Sequence, residues 1–177
     1  MGILMGLRKK AGEITLLSML RRHSEPQRTI AYEEIKRIGL LMPLRENDDI
    51  QWVDDVLNQL SKDGKECVVL GLLESPIEIP TNPNIIILEP EALAWNLIPK
   101  EHAIKSFISI NFDLLLNLCT DGNHLALDYV AIKTPATFRI GRYEPRLNKA
   151  YGLMVKGEFV DSRELLKAIK HYLVKIH

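Results

Sequence analysis

The fold of this chain follows from one stretch, residues 111–124, which reads NFDLLLNLCTDGNH. Its segment Phe112–Leu118 is too short and too apolar for an amphipathic helix, and turn residues follow it. Such a run predicts a strand that is buried on both faces, as in the middle of a parallel sheet. Ligands of open α/β sheets bind just past the carboxyl ends of these strands. We therefore expect any chemistry of this protein at Cys119–His124.

Strands and helices alternate along the rest of the chain, which predicts a single Rossmann-like α/β domain of three layers. The sheet should be mostly parallel, with about five to six strands. The predicted strands are Lys36–Met42, Cys67–Leu73, Ile85–Leu88, Phe112–Leu118, Thr137–Arg142 and Gly152–Lys156. The predicted helices between and after them are residues 48–62, 100–108, 125–133 and 162–176.

Three details of the topology follow from local signals. Pro43 should end the first strand, because proline cannot donate to the ladder. The strand cores Ile38–Met42 and Leu114–Leu118 should be neighbours at the sheet centre, where the strand order of doubly wound folds reverses. The last two strands are joined by about eight residues, fewer than the dozen or more of a parallel crossover. We therefore expect the sixth strand to be antiparallel or to lie at an edge.

Residues 1–30 are predicted to form a basic amphipathic helix and a linker, apart from the α/β domain at residues 31–177. The helix covers residues 1–23, with one apolar set at Ile3, Leu7, Ile14 and Leu17 and another at Leu16 and Leu20. Six positive and two negative residues lie between Met1 and Arg28. Because four other helices already claim the faces of the sheet, this helix needs a cover, which a homodimer or a protein partner would supply. Packing on its own domain and peripheral contact with an anionic membrane stay open.

The composition argues against several classes of function. The formal net charge is zero, so we expect no nucleic-acid partner. Cys67 and Cys119 are too few for a disulfide framework and too far apart for a metal knuckle, which fits a reducing cytoplasm. No apolar run approaches the ~18 residues of a membrane span. The N-terminus has its apolar residues before its basic ones, the reverse of a signal peptide, so we expect a cytoplasmic protein.

Nucleotide cofactors and metals are not expected either. The first strand–helix loop, residues 43–49, has no glycine, and Asp48 and Asp49 at the helix start would repel a phosphate. Neither a dinucleotide-binding GxGxxG motif nor a P-loop occurs. The five histidines share no ligand spacing, and no HExxH or CxxC motif occurs. The sequence thus predicts no cofactor and no metal.

The candidate ligand-binding residues lie at the predicted carboxyl ends of the first and the central strand. They are Arg45, Asn47, Cys119, Thr120, Asp121, Asn123 and His124. Cys119, with His124 five residues on, would be a thiolate pair near the start of a helix. The alternative interpretation makes Cys119 a small buried hydrophobe and His124 a helix-start residue, and we expect Cys119 to be inert at neutral pH. No catalytic residue is therefore assigned.

Four segments of the chain are distinctive: AWNLIP at 94–99, NFDLLLNL at 111–118, FRIGRY at 138–143 and YGLM at 151–154. Together they resemble a small bacterial family that is known only as a domain of unknown function. This resemblance covers most of the chain and implies a fold but no activity. A weaker resemblance is to the first domain of heptosyltransferase-type glycosyltransferases, where a similar strand is followed by a helix and an Arg-Ile-Gly strand. Those enzymes bind the nucleotide sugar mainly through a second domain, so this resemblance implies the acceptor-side half alone.

Three functions stay open on the sequence alone. The first is a non-catalytic binding or interaction module of the cytoplasm, because catalytic constellations are missing and a basic helix is present. The second is a reduced glycosyltransferase-like domain that binds a sugar or another small polar ligand at the strand ends. The third is a thiol-dependent enzyme that uses Cys119. A deep pocket lined by Arg45, Asn47, Thr120 and His124 would favour the second, and a filled sheet end would favour the first.

Overall fold

The computed structural model describes residues 2–22, 26–78, 80–122 and 124–175. Within these ranges the chain forms a three-layer α/β fold around a six-stranded parallel sheet. The strands are β1 (Arg37–Leu44), β2 (Glu66–Leu73), β3 (Ile85–Leu88), β4 (Phe112–Asn117), β5 (Ala136–Arg142) and β6 (Leu153–Val155). The helices are α1 (Gly2–Arg22), α2 (Asn47–Lys62), α3 (Glu101–Ile108), α4 (Leu125–Lys133) and α5 (Ser162–Leu173). The expected fold class is confirmed.

The sheet has the strand order β3-β2-β1-β4-β5-β6, which reverses between β1 and β4. These two strands are neighbours at the sheet centre, as predicted, with Ile38 opposite Leu114 and Leu41 opposite Asn117. All six strands run in one direction, so their carboxyl ends lie along a single side of the sheet, which we call the carboxyl edge. In doubly wound folds the ligand crevice opens at this edge, at the switch between the two central strands.

Alternate residues of the central strands enter two separate cores. Leu40, Leu114 and Leu116 pack on the face that α2 and α5 cover. Leu41 and Leu115 pack on the opposite face, which α1, α3 and α4 cover. Successive side chains of a strand point to opposite sides of the sheet, so an unbroken apolar run supplies both layers. This is why the apolar segment at residues 112–118 predicts a central strand.

The prediction that Pro43 ends the first strand is wrong, because β1 continues through Leu44 alongside β2. The Leu44 carbonyl accepts a hydrogen bond from Glu74 on the β2 side, whereas the Leu41 carbonyl accepts one from Leu118 on the β4 side. By alternation, the nitrogen of Pro43 points to the β4 side, beyond the last residue pair of β1 and β4. No ladder hydrogen bond is lost there, so proline is tolerated in a central strand.

The sixth strand is predicted to be antiparallel or to lie at an edge. β6 does lie at the edge of the sheet, and it runs parallel to β5. The antiparallel alternative is therefore wrong. The connection at residues 143–152 uses a 3-10 turn, Pro145–Leu147, in place of a crossover helix. Leu147 and Tyr151 bury their side chains in the core from this connection. So short a crossover suffices because β6 has three residues and begins opposite Ile140, so the chain travels back along the sheet by only about 7 Å.

α1 packs on α4 and runs beside it in the same direction. Gly12 lies against Leu125 at the start of α4, and Met19 lines a cavity together with Ile132 near its end. A side chain at position 12 would overlap both Leu125 and the Asn96 carbonyl. This close approach accounts for a mid-helix glycine that costs about 1 kcal/mol in helix propensity.

The two apolar sets of α1 have different surroundings. Leu16 and Leu20 are buried in the core that α3 and α4 share, so the domain itself covers this set. Ile3, Leu7 and Ile14 of the other set are exposed. The premise that the other helices leave α1 no place on the domain is wrong, because α1 packs beside α4 and buries Leu16 and Leu20 in the same core. The domain boundary near residue 30 stays a prediction. Among the described residues, no helix is both long enough and apolar enough to span a membrane.

Candidate functional site

Four side chains from three chain segments meet at the carboxyl edge. Arg45 follows β1, Glu74 follows β2, and Asp121 and His124 lie between β4 and α4. Three of the four were candidates from sequence, whereas Glu74 was not. We call this group the strand-end cluster. It lies where the ligand crevice of a doubly wound sheet would open.

The strand-end cluster is held by short contacts among its charged and polar side chains. Arg45 Nε lies 2.7 Å from Glu74 Oε2, and its Nη2 lies 3.9 Å from Asp121 Oδ2. His124 Nδ1 lies 3.0 Å from Glu74 Oε1, and its Nε2 lies 3.1 Å from Asp121 Oδ1. The hydrogen bond with Glu74 also raises the pKa of Arg45. The side chains of this cluster therefore satisfy one another across the sheet end.

The imidazole of His124 is almost fully buried, at 5% exposure. Burial lowers its pKa, although Glu74 and Asp121 act in the opposite direction. The neutral ring is therefore favoured near neutral pH, and only one of its nitrogens then carries a hydrogen. With the hydrogen on Nδ1, the ring donates to Glu74 and its Nε2 accepts from Arg45 Nη2, 3.4 Å away. Protonation would add a second donor that faces Asp121.

The remaining candidates do not join this cluster. Asn47 turns its side chain to the backbone, where Oδ1 accepts a hydrogen bond of 2.9 Å from the Glu78 amide. Thr120 is half-buried, and Asn123 lies outside the described residues. The N-terminus of α2 is capped by a capping box in which Glu46 and Asp49 each accept from a backbone amide. The amides of Asp49 and Glu46 at this helix start are thus occupied by carboxylates of the chain.

A second polar group lies under the start of α4. Asn117, the last residue of β4, donates through Nδ2 to Asp128 Oδ1 at 3.1 Å and to the Tyr151 hydroxyl at 2.7 Å. Its Oδ1 accepts from the Cys119 amide at 3.3 Å. All four residues are buried. With Arg142 and Glu144 they line a cavity of about 10 Å³, which we call the Asp128 pocket and which has room for about one water molecule.

Asp128 is the least satisfied member of this pocket. Its Oδ2 is buried and has no hydrogen-bond partner among the described residues. Burial raises the pKa of Asp128 to about 6, against the opposing effect of Arg142. Burial also raises the pKa of Tyr151 well above its usual range. A buried carboxylate with an unpaired oxygen is costly, so its presence calls for an explanation beyond packing.

Cys119 does not form the thiolate pair considered from the sequence. Burial raises the pKa of its thiol well above the usual range, and Asp128 adds to the effect. Both ring nitrogens of His124 face Glu74, Asp121 and Arg45 instead. A thiol without a base and without a lowered pKa is a poor nucleophile. This geometry supports the interpretation of Cys119 as a small buried hydrophobe.

The structure also bears on metal binding and on the mouth of the Asp128 pocket. Within the described ranges no group of three or more His, Cys, Asp or Glu side chains is placed to hold a metal ion.

Arg142 Nη2 lies 3.4 Å from Glu144 Oε2, and Arg146 Nε lies 3.5 Å from Glu144 Oε1. Arg146 in turn contacts Glu13 of α1 at 3.2 Å. A chain of ion pairs thus links α1 to the pocket.

Sequence reasoning missed Glu74, Asn117, Asp128 and Tyr151. For Asp128 a signal was present, because α4 reads LALDYVAIK and Asp128 is the charged residue within its otherwise apolar first two turns. A charge among apolar helical residues is rarely buried without a reason. Glu74 and Tyr151 had no such signal, since their role depends on which strands become neighbours.

Comparison with known proteins adds a family and no activity. The model of a family of unknown function, DUF6913, matches residues 8–176, which confirms the resemblance to a domain of unknown function. The nonribosomal peptide synthetase inpA of Emericella nidulans is 29% identical over 132 residues. That match covers 73% of this chain but only 8% of the synthetase. No solved structure matches. Neither match is a glycosyltransferase, so that weaker resemblance stays a prediction.

Proposed function

We propose that this chain, which belongs to the DUF6913 family of unknown function, is a non-catalytic interaction module that docks through the first turns of α1. The docking surface consists of Ile3, Leu4, Met5 and Leu7, together with Trp95, whose carbonyl contacts the next residue of the helix, Arg8. The single observation that carries the proposal is the exposure of these apolar side chains. They are 85, 56, 53, 55 and 56% exposed, in that order. Clusters of exposed apolar side chains of this kind mark interaction sites on soluble domains.

The anchoring of α1 supports the same conclusion. Arg8 Nε donates to the Trp95 carbonyl at 2.7 Å, and Glu13 pairs with Arg146. Gly12 lies against the Asn96 carbonyl. These contacts fix the middle of the helix on the domain and hold the Trp95 backbone next to Arg8. A rigid, pre-organised surface loses little entropy on binding.

The carboxyl edge offers less to a ligand than α1 offers to a partner. The strand-end cluster fills the crevice position with side chains that bind each other. The filled sheet end is the arrangement that favours an interaction module over a sugar-binding domain. The buried state of Cys119 argues in the same direction against thiol chemistry.

Cysteine accessibility tests the proposal without knowledge of the partner. Met5→Cys would be labelled by N-ethylmaleimide in dilute purified protein and in intact cells that express the full chain. We expect labelling in cells to be at least about tenfold slower, because a bound partner shields the position. The matched control is Val160→Cys, which replaces an 81% exposed residue on the other side of the sheet. Cys67 and Cys119 are buried and should not interfere.

Two outcomes would contradict this function. Equal labelling of Met5→Cys in cells and in dilute protein would mean that nothing covers the docking surface. Equal protection of Val160→Cys would mean that the effect is not specific to α1. Labelling of purified Met5→Cys at rising protein concentration separates a second copy from other partners, because only a second copy gives protection that depends on concentration.

A second candidate function, binding of a small polar ligand at the carboxyl edge, is favoured by the unpaired Oδ2 of Asp128. The pocket of about 10 Å³ is far below the 300–1,000 Å³ of ordinary ligand sites. A ligand would therefore have to displace the Arg142–Glu144 pair at its mouth. Native mass spectrometry of the gently purified chain tests this function. A bound mass that is lost in Asp128→Asn would support it, and an unliganded wild type would refute it.

A further inference from the structure

We infer that the partner of the docking surface is an anionic lipid bilayer, which the first turns of α1 enter at the level of the headgroups. This inference rests on the proposed function and names the partner of the same surface. It follows from the distribution of apolar side chains, the charge, the small area of the surface and the position of Trp95.

The apolar side chains spread over more than half of the circumference of the helix and do not form a narrow stripe. Ile3, Leu4 and Met5 are consecutive, so they point about 100° apart around the axis, and each is more than half exposed. A protein partner normally contacts one face of a helix, and the rest stays polar. Apolar side chains that cover more than half of a helix need a wide apolar environment. The boundary between lipid headgroups and acyl chains provides one.

The charge next to this surface is uniformly positive. Arg8, Lys9 and Lys10 follow Leu7 directly, and no acidic residue occurs between Gly2 and Lys10. The first turn of α1 also lacks an acidic residue, so the positive end of the helix dipole is not compensated from within that turn. Phosphates of anionic lipids would meet both the basic side chains and the first backbone amides. Charge thus favours an anionic membrane over a neutral one.

The area of the surface argues against a second copy of the chain. Two helical turns about 10 Å wide have a lateral area of roughly 300 Å², and a partner helix would cover half of it at most. A stable protein interface buries about 800 Å² on each partner. A twofold contact would also place two Arg8–Lys10 segments within about a Debye length of each other. Binding to a bilayer requires no minimum buried area. The anionic headgroups also carry the charge opposite to that of Arg8–Lys10.

Trp95 lies in a strained turn, and its carbonyl accepts a hydrogen bond from Arg8, next to the exposed first turns of α1. Leu97 has a φ of 64°, in the left-handed region that non-glycine residues seldom adopt. The turn is held by hydrogen bonds from Ala94 N to the Ile98 carbonyl and from Leu97 N to the Ala94 carbonyl. Trp95 remains 56% exposed at its tip. Tryptophan is the residue that best suits a membrane interface, because its ring is apolar and its N–H is polar.

Vesicle flotation with the full chain tests the inference. The vesicles are phosphatidylcholine alone or phosphatidylcholine mixed with phosphatidylglycerol. We expect the wild type to float with the anionic vesicles, and Leu4→Ser/Leu7→Ser to bind at least about tenfold more weakly. Lys10→Gln should bind about fivefold more weakly, because one basic residue is lost. Val160→Ser is the matched control and should bind like the wild type.

A spectroscopic measurement locates the contact. The fluorescence of Trp95 should shift to shorter wavelength when anionic vesicles are added, and Trp95→Leu should abolish the shift although Trp52 remains. Absence of flotation with both vesicle types, or binding that the double variant retains, would overturn the inference. If Met5→Cys is shielded in cells but the chain binds no vesicles, the interaction module stands and the lipid partner falls. Dimerisation lost in the double variant would likewise replace the bilayer by a second copy.

Discussion

His124 and Asp128 are one helical turn apart at the start of α4, both are about 95% buried, and their surroundings differ. Both ring nitrogens of His124 meet partners in the strand-end cluster. Asp128 pairs one oxygen with Asn117 and leaves the other without a partner among the described residues. The first residue closes the carboxyl edge. Asp128 carries a free-energy cost of burial that packing does not explain, which is common for residues that serve a function.

Burial acts on both residues in the same physical way, because it disfavours the charged form. It lowers the pKa of His124 and raises that of Asp128 to about 6. At pH 7 the consequence differs. The favoured form of His124 is then neutral, whereas Asp128 is mostly ionised and carries a buried charge. Only the carboxylate therefore reduces the stability of the fold at neutral pH.

The substitution with the largest expected effect on this comparison is Asp128→Asn. A pKa raised from 3.8 to about 6 corresponds to about 3 kcal/mol of lost stability above pH 6. Asparagine keeps an oxygen for Asn117 and removes the charge. We therefore expect the free energy of unfolding at pH 7.5 to rise by about 3 kcal/mol in denaturant melts. Asp55→Asn, at an exposed position of α2, is the control. Unchanged or lower stability of Asp128→Asn would contradict the comparison.

His124→Ala should have the opposite effect. It removes the buried ring between Glu74 and Asp121, so Glu74 and Arg45 lose a hydrogen-bond partner and a cavity is left at the sheet end. We expect the free energy of unfolding at pH 7.5 to fall by about 1–3 kcal/mol, as for a buried polar group that loses its partners. His102→Ala, at an exposed position of α3, should change little. A loss of stability no larger than that of the control would mean that the cluster does not hold the sheet end together.

The pH dependence of stability separates the two residues by sign. A lowered histidine pKa means that the contribution of His124 is complete above pH 6.5 and is lost as the pH falls. A raised carboxyl pKa means that the penalty of Asp128 disappears as the pH falls from about 6 towards 4. Acidification should therefore destabilise Asp128→Asn more steeply than the wild type. His124→Gln should lose less stability than the wild type, and parallel profiles of all three proteins would refute both assignments.

The smallest expected effect concerns the thiols. Burial raises the pKa of Cys67 to about 12 and that of Cys119 well above its usual range. Iodoacetamide should leave both unlabelled in the native protein at pH 7.5, and both should react in denaturant. Rapid labelling of native Cys119 would show an opening of the Asp128 pocket. That result would mean that Asp128 is not held in a closed pocket, and its comparison with His124 would lose its basis.

The sequence determined the sheet better than the site. An apolar run such as Leu114–Leu118 indicates burial on both faces whatever its neighbours are, and β4 is indeed central. Arg45 and His124 were found because strand ends and helix starts can be located locally. Glu74 could not be paired with His124, because fifty residues separate them and only the strand order makes them neighbours. Helical periodicity likewise revealed the faces of α1 but not that α4 would cover Leu16.

The edges of the sheet have a consequence for the binding to a bilayer that we propose. β3 has four residues and β6 has three, and these are the two strands at the edges. Molecules that collect on a two-dimensional layer reach high local concentrations, where long free strands would pair between neighbours and polymerise. Short edge strands offer few unpaired backbone groups for such pairing. Many copies can therefore crowd together without β-sheet growth from one molecule to the next.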